Sequence, residues 1–147
     1  MIHPRPIRTE KVKDLADEKF MRLAIATARE GIAKGQEPFG ACIIKGEEVI
    51  SVAHNTTIGD MDVTAHAEMN AIREACRKLK TTNLSECVIY ATFKPCPMCQ
   101  AACERANISR IYYGAGPEDS GASPREFRTL ITAGFLKNEC SELVQSR

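Results

Sequence analysis

The chain has 147 residues, a formal net charge of +1 and 44% hydrophobic residues. This length fits one domain with a substantial core, so we expect residues 1–147 to form a single domain. The near-neutral charge argues against nucleic acid as the main partner, and no apolar run approaches a membrane span. Its seven cysteines, with no secretory signal, indicate reduced thiols and a cytoplasmic location.

The first half of the chain is predicted to contain a helix and a hairpin. Residues 1–13 combine prolines with basic residues and should form an irregular N-terminal arm. Apolar residues at helical spacing predict a helix over 14–33, which the stop signal at Gly35 ends. Residues 39–44 and 49–53 are predicted strands, joined by a turn at Gly46 and Glu47.

The second half alternates between helices and strands. A helix is predicted over 66–79, then a nearly continuous apolar strand over 87–92. Pro97 suits the first turn of a helix reaching about residue 106, and 110–114 is another strand. A capping-box pattern at Ser123 predicts a helix that ends by Gly134, and 138–145 a last short helix. The order predicts an α/β fold: a three-layer α/β/α sandwich whose mixed sheet has four to five strands with helices on both faces.

The most informative motif joins His66 and Glu68 to a Cys-x-x-Cys pair, Cys96 and Cys99. Two thiolates at a helix start can take adjacent corners of a tetrahedron around Zn²⁺, and a histidine can take the third. Three protein ligands leave the fourth position open, which is typical of a catalytic zinc site. Glu68 is close enough to such a site to transfer protons without binding the metal.

Two other interpretations of the cysteines are possible. A Cys-x-x-Cys motif can be a redox pair, although a redox pair does not need His66 or Glu68. A closed structural zinc site would need a fourth ligand, and Cys103 is the nearby candidate. The helices that start near His66 and Cys96 are expected to lie side by side, with the positive ends of their dipoles near the metal.

The motifs resemble those of the cytidine deaminase superfamily, and the resemblance extends from about residue 20 to residue 114. The matching segments occur in family order: Pro38-Phe39-Gly40-Ala41, His54-Asn55, Val63-Thr64-Ala65-His66-Ala67-Glu68 and Pro95-Cys96-Pro97-Met98-Cys99. A histidine, a glutamate and a Pro-Cys-x-x-Cys segment in this arrangement are the signature of zinc base deaminases. Residues 71–76 and 84–91 are most similar to the small guanine and guanosine deaminases, and tRNA adenosine deaminases share the zinc motif.

The resemblance implies a role for each matching residue. His66, Cys96 and Cys99 would bind Zn²⁺ and Glu68 would be the catalytic proton shuttle. Substrate contacts would come from Asn55, Phe39 and Ala67. Asn55 also fits an ordinary turn after a strand.

Two departures from the family pattern bear on the substrate. Lys94 stands where the family usually has glutamate, and Phe93 where a small residue is common. Both precede the first zinc-ligating cysteine, so they are expected to alter the rim of the pocket rather than the metal site. The segment after Gly114 aligns only loosely with the pocket-closing residues of guanine deaminases.

The implied activity is zinc-dependent hydrolytic deamination of a small aminated nucleobase, with guanine converted to xanthine and ammonia as the favoured reaction. The alternatives are adenosine-to-inosine deamination in tRNA, or deamination of cytosine, a nucleoside or another amino-heterocycle. An inactive, deaminase-like binding subunit is the non-enzymatic alternative. The resemblance also implies a homodimer, in which residues 114–128 would help to close the pocket.

Overall fold

The computed structural model describes residues 15–121 and 128–145. The predicted arm at 1–13 therefore lies outside the described residues. In chain order the elements are α1 (Leu15–Ala33), β1 (Gly40–Lys45), β2 (Glu48–His54), α2 (Thr57–Asp60), α3 (Ala67–Leu79), β3 (Cys87–Phe93), α4 (Pro97–Arg105), β4 (Arg110–Ala115), α5 (Pro117–Ser120) and α6 (Lys137–Gln145).

The strands in the described part of the chain form one mixed sheet in the order β2-β1-β3-β4. Strand β1 runs antiparallel to both β2 and β3, and β3 runs parallel to β4. The predicted mixed sheet is confirmed with four strands, at the lower end of the expected number. Because β2 and β3 both oppose β1, the strands β2, β3 and β4 all point in the same direction.

Helices cover both faces of this sheet, as the sequence predicts. Alternate residues of a strand point to opposite faces. On one face Cys42 and Ile44 pack with Phe20 and Ala24 of α1. On the other face Ala41 and Ile43 share a core with the buried residues of α3, Ala67, Ala71, Ile72 and Ala75. Stacking α1, the sheet and α3 gives the three-layer α/β/α sandwich.

The topology brings the starts of α3 and α4 to one edge of the sheet. Helix α3 follows β2 and precedes β3, and α4 follows β3 and precedes β4. Because these three strands are parallel, their carboxyl ends lie at the same edge, and each following helix begins there. This arrangement confirms the prediction that the two helix N-termini lie together.

The C-terminal part differs from the sequence prediction. Residues 122–127, where the predicted helix at Ser123 would begin, lie outside the described residues, and 128–134 are not helical. Leu130 and Ile131 are almost fully exposed, so no burial of apolar side chains stabilises a helix there. The last predicted helix is confirmed as α6. No helix in the described ranges is long and apolar enough to cross a membrane.

Candidate active site

The first two metal-binding candidates lie at helix N-termini. His66 is the N-cap residue of α3 and Cys96 is the N-cap residue of α4, and both have extended backbone conformations. Pro97 occupies the first turn of α4, where its missing N–H costs no helical hydrogen bond. Cys99 follows within the same turn and is fully buried.

These three side chains converge on one point. His66 Nδ1 lies 3.6 Å from Cys96 Sγ and 3.5 Å from Cys99 Sγ. All three candidate donor atoms lie within 4.8 Å of one another. Within residues 15–121 and 128–145, these are the side chains that are grouped closely enough to hold a metal ion. One imidazole nitrogen and two sulfurs fit the soft, tetrahedral preference of Zn²⁺ and leave its fourth position open.

Cys103 does not join this group, so the closed four-ligand site is not supported. The side chain is 1% exposed and packs in the core between α3, α4 and the sheet. Burial raises the pKa of the Cys103 thiol to about 12. It is therefore a neutral core residue at physiological pH.

Glu68 lies beside the metal-binding group in a strongly desolvated position. It is on the first turn of α3 and only 7% exposed. Burial raises the pKa of its carboxyl group, and a hydrogen bond with the Cys99 thiol partly opposes that rise. A carboxyl group whose pKa is raised toward neutrality can both accept and return a proton.

Cys99 is affected by the same environment. Burial is the main cause that raises the pKa of its thiol, and the nearby Glu68 carboxylate adds to the effect. Without a metal ion Cys99 is therefore protonated. Since zinc binds the thiolate, metal binding at this site must release that proton.

A cavity of about 360 Å³ opens next to His66, Glu68 and Cys96. This volume falls in the usual range for small-molecule sites. Phe39 and Phe93 form part of its wall, with ring centroids 5.5 Å apart in an edge-on arrangement. The remaining lining residues are Glu37, Asn55, Thr57, Val63 and Lys94.

Asn55 makes a turn contact and also lines the cavity. Its Oδ1 accepts hydrogen bonds from the backbone N–H and the hydroxyl of Thr57, at 3.0 Å and 2.9 Å, which is a turn contact. The residue is also 3% exposed and lines the cavity. Because Oδ1 is engaged by Thr57, the Nδ2 group is the part of the amide left to donate to a ligand.

The other sequence candidates do not all line the cavity. Phe39 lies in its wall. The Ala67 side chain is fully buried in the core and is not among the cavity-lining residues. His54 is not among them either, and its Nδ1 is 2.8 Å from the carbonyl oxygen of Asn55.

Sequence reasoning missed the lining residues Glu37 and Thr57, and it included Val63 in a family-like segment without assigning it to the site. All three lie in loops or at element ends, where no periodic pattern singles them out. Their positions beside Phe39, Asn55 and Thr64 in sequence were the available signal, because a loop that carries one site residue usually brings its neighbours close to the site.

Comparison with known proteins agrees with this geometry. Residues 15–115 match the Cytidine and deoxycytidylate deaminase zinc-binding region. A tRNA-specific adenosine deaminase of Aquifex aeolicus is 40% identical over 79% of this chain and 77% of its own length. A guanine deaminase of Bacillus subtilis is 38% identical over 70% of this chain and 67% of its own length.

Solved structures give the same result. The X-ray structure of guanine deaminase from Bacillus subtilis superposes with a TM-score of 0.78 and 32% identity, covering 88% of this chain and 92% of that one. The family match covers the sheet and both helices that carry the metal-binding group. The chain belongs to the cytidine and deoxycytidylate deaminase family of zinc-dependent enzymes.

Proposed function

We propose that this enzyme deaminates a free purine base, with guanine and water converted to xanthine and ammonia. The observation that carries this proposal is the cavity beside the metal-binding group, which Glu68, Asn55 and two aromatic rings line together. A planar heterocycle can pack against these aromatic rings, and its polar edge needs a small number of fixed hydrogen-bonding groups.

The zinc ligands in this proposal are His66, Cys96 and Cys99. Zinc bound there would act as a Lewis acid and would make water nucleophilic at neutral pH. The chain contributes the deprotonated donors and the dipoles of two helix N-termini, which favour negative charge at that point.

Glu68 is the proposed proton carrier. It takes a proton from the attacking water and delivers it to a ring nitrogen. It then takes the remaining proton from the hydroxyl group that has been added to the ring carbon and delivers it to the departing amine, which leaves as ammonia. Its buried position supports this role, since low solvent access keeps the carboxyl pKa above its usual range. The same carboxyl group therefore acts first as a base and then as an acid.

The proposed substrate contacts are Asn55 and the aromatic pair. The Nδ2 group of Asn55 can donate to a ring nitrogen or a carbonyl oxygen of the base. Phe39 and Phe93 would pack against the ring. Ala67 stays a predicted contact, through its backbone alone, because its side chain is fully buried.

The charges of the cavity favour a free base over a polynucleotide. Its lining includes the carboxylates of Glu37 and Glu68 and the single ammonium group of Lys94. A free purine has an imidazole N–H, which a nucleoside lacks, and Glu37 can accept from such a donor. Recognition of phosphates would instead call for a cluster of cations, and the whole chain has a net charge of only +1.

Adenosine in tRNA is the second candidate substrate, and the relatives favour it. tRNA-specific adenosine deaminases are more numerous among them than guanine deaminases. The Agrobacterium fabrum protein of that name is 42% identical over 86% of this chain. The guanine deaminase match covers less of the chain, 70%.

Ammonia release from a substrate panel tests the proposal. The zinc-loaded protein is incubated with guanine, guanosine, cytosine, adenine, ammeline and a tRNA anticodon stem-loop. We expect the highest kcat/KM with guanine. Activity confined to the stem-loop would reject the free-base proposal, and tight zinc binding without deamination of any substrate would favour the inactive binding subunit.

We also propose a homodimer. Three strongly exposed apolar side chains, Ile58, Met61 and Val63, lie in or near the loop that contributes Val63 to the cavity. A second copy that covers this patch would shield the cavity mouth from water. Light scattering at micromolar concentration should give twice the mass of one chain, and a fully active monomer would contradict the proposal.

A further inference from the structure

We propose that Asn70 is a positioning residue, which sets where the substrate-binding amide of Asn55 lies relative to the metal-binding group. The inference builds on the proposed function, because it assumes that Asn55 contacts the substrate. Asn70 does not line the cavity and is not one of the donor side chains. Its proposed effect is therefore exerted through the loops it holds.

The contacts of its amide nitrogen carry the argument. Asn70 lies on α3, one turn after His66. Its Nδ2 is 3.0 Å from the carbonyl oxygen of His54 and 2.9 Å from Thr56 Oγ1, the residues on either side of Asn55. The same nitrogen is 3.3 Å from the carbonyl oxygen of Ala65, the residue before His66. One NH₂ group thus joins the substrate-binding loop to the segment that enters the metal site.

The orientation of this amide is fixed from its other side. Arg73 Nη1 donates to Asn70 Oδ1 at 3.4 Å, and Arg73 Nη2 donates to Thr64 Oγ1 at 3.0 Å. An arginine is always a donor, so the atom that faces it must be the amide oxygen. The NH₂ group is consequently directed at the loop oxygens.

The chemistry of these neighbours explains why asparagine is needed. The Thr56 hydroxyl donates to Asp60 Oδ2 at 2.7 Å, so it must accept from Asn70. Two backbone carbonyl groups are the other partners, and they can only accept. An aspartate at position 70 would place a carboxylate oxygen, which can only accept, against these three accepting oxygen atoms. An alanine would leave the three oxygen atoms without the donor that Asn70 provides.

Two backbone hydrogen bonds also connect these segments without Asn70. The Thr56 N–H donates to the carbonyl oxygen of Ala65 at 2.9 Å, and the Asp62 N–H donates to the carbonyl oxygen of Thr57 at 3.1 Å. Both bonds lie on the C-terminal side of Asn55, so neither of them holds His54. The contacts of Asn70 to His54 and Thr56 hold the chain on both sides of Asn55, and a shift of about 1 Å in a substrate-positioning group can cost about 100-fold in rate.

A double-mutant cycle tests this inference on the zinc-loaded enzyme. We expect Asn70→Ala to lower kcat/KM for guanine about 10-fold or more. In an Asn55→Ala background the same substitution should cost less than about twofold, because the group that it positions is already absent. Equal losses in both backgrounds would assign Asn70 a purely structural role and overturn the inference. Asn83→Ala, an exposed asparagine far along the chain, is the matched control and should leave kcat/KM unchanged.

A ligand-free measurement separates this inference from the proposed function. Amide hydrogen exchange at Thr56 and Thr57 should accelerate about tenfold or more in Asn70→Ala, while exchange in the central strand β3 stays at its original rate. Unchanged exchange at both residues would overturn the inference even if guanine is the substrate. Absence of any deamination together with accelerated exchange would reject the proposed function alone.

A second variant covers the case in which Asn70→Ala does not fold. Thr56→Val removes one acceptor of the Asn70 amide and retains the size of the side chain. We expect it to shift the same exchange rates and kcat/KM in the same direction by a smaller factor. Wild-type values for both quantities in Thr56→Val would count against the positioning role.

Discussion

Replacing Glu68 with glutamine separates metal binding from proton transfer. Glutamine has nearly the same shape as glutamate but cannot carry a proton, and the donor group of His66, Cys96 and Cys99 does not include position 68. General acid–base catalysis contributes about 10²–10⁴-fold to a rate. One carboxyl group serves both proton transfers here, so we expect kcat to fall by about 10⁴-fold, or about 5.4 kcal/mol at about 1.36 kcal/mol per factor of ten.

The assay combines ammonia release with metal analysis of the same preparation. Glu68→Gln should retain one zinc ion per chain, at about the wild-type ratio, while its turnover is lost. Glu74→Gln is the matched control, because Glu74 is on the same helix but exposed, and it should keep wild-type turnover. Ordinary turnover by metal-replete Glu68→Gln would refute the assignment of Glu68 as the proton carrier.

Two further substitutions, each with a control variant, test the metal site and the packing of α1 against the sheet. Cys96→Ser should reduce bound zinc from about one per chain to near zero, and added zinc should no longer raise the melting temperature. The control Cys140→Ser, at an exposed cysteine, should retain both the bound zinc and the stabilisation. Gly40→Ala should destabilise the zinc-loaded enzyme by about 1–3 kcal/mol in urea unfolding, because the added methyl group would overlap the Ala24 carbonyl oxygen of α1. Gly59→Ala meets only the end of a flexible side chain and should stay within about 0.5 kcal/mol of the wild type; equal stabilities of the two glycine variants would contradict the packing argument.

The sequence allowed the metal site to be predicted because its information is local and chemically specific. Cys96 and Cys99 are three residues apart at a helix start, and few functions require that spacing together with an upstream histidine. Helical and strand periodicity then located α3, β3 and α4. The parallel course of the strands determined that the two helix starts meet.

Part of the cavity wall could not be predicted in the same way. Glu37 and Val63 reach the cavity from irregular segments. The contacts of Asn70 depend on the path of two loops, and periodicity carries no information about such a path. The predicted helix at Ser123 failed over 128–134, because a capping pattern encodes only a helix start and the apolar residues that follow have no surface to pack against.

The topology explains why the metal-binding residues and the cavity-lining residues are encoded so differently. Asn55 follows the carboxyl end of β2, Lys94 follows the carboxyl end of β3, and Phe39 precedes the antiparallel strand β1. All three therefore reach the same edge of the sheet, where Gly40 pairs with His54. The metal-binding side chains are set by helix starts, whereas these cavity-lining residues depend on loops that can change without altering the sheet. Substrate preference in this fold can consequently diverge while the zinc chemistry is retained, which fits the presence of both guanine deaminases and tRNA-specific adenosine deaminases among the relatives of this chain.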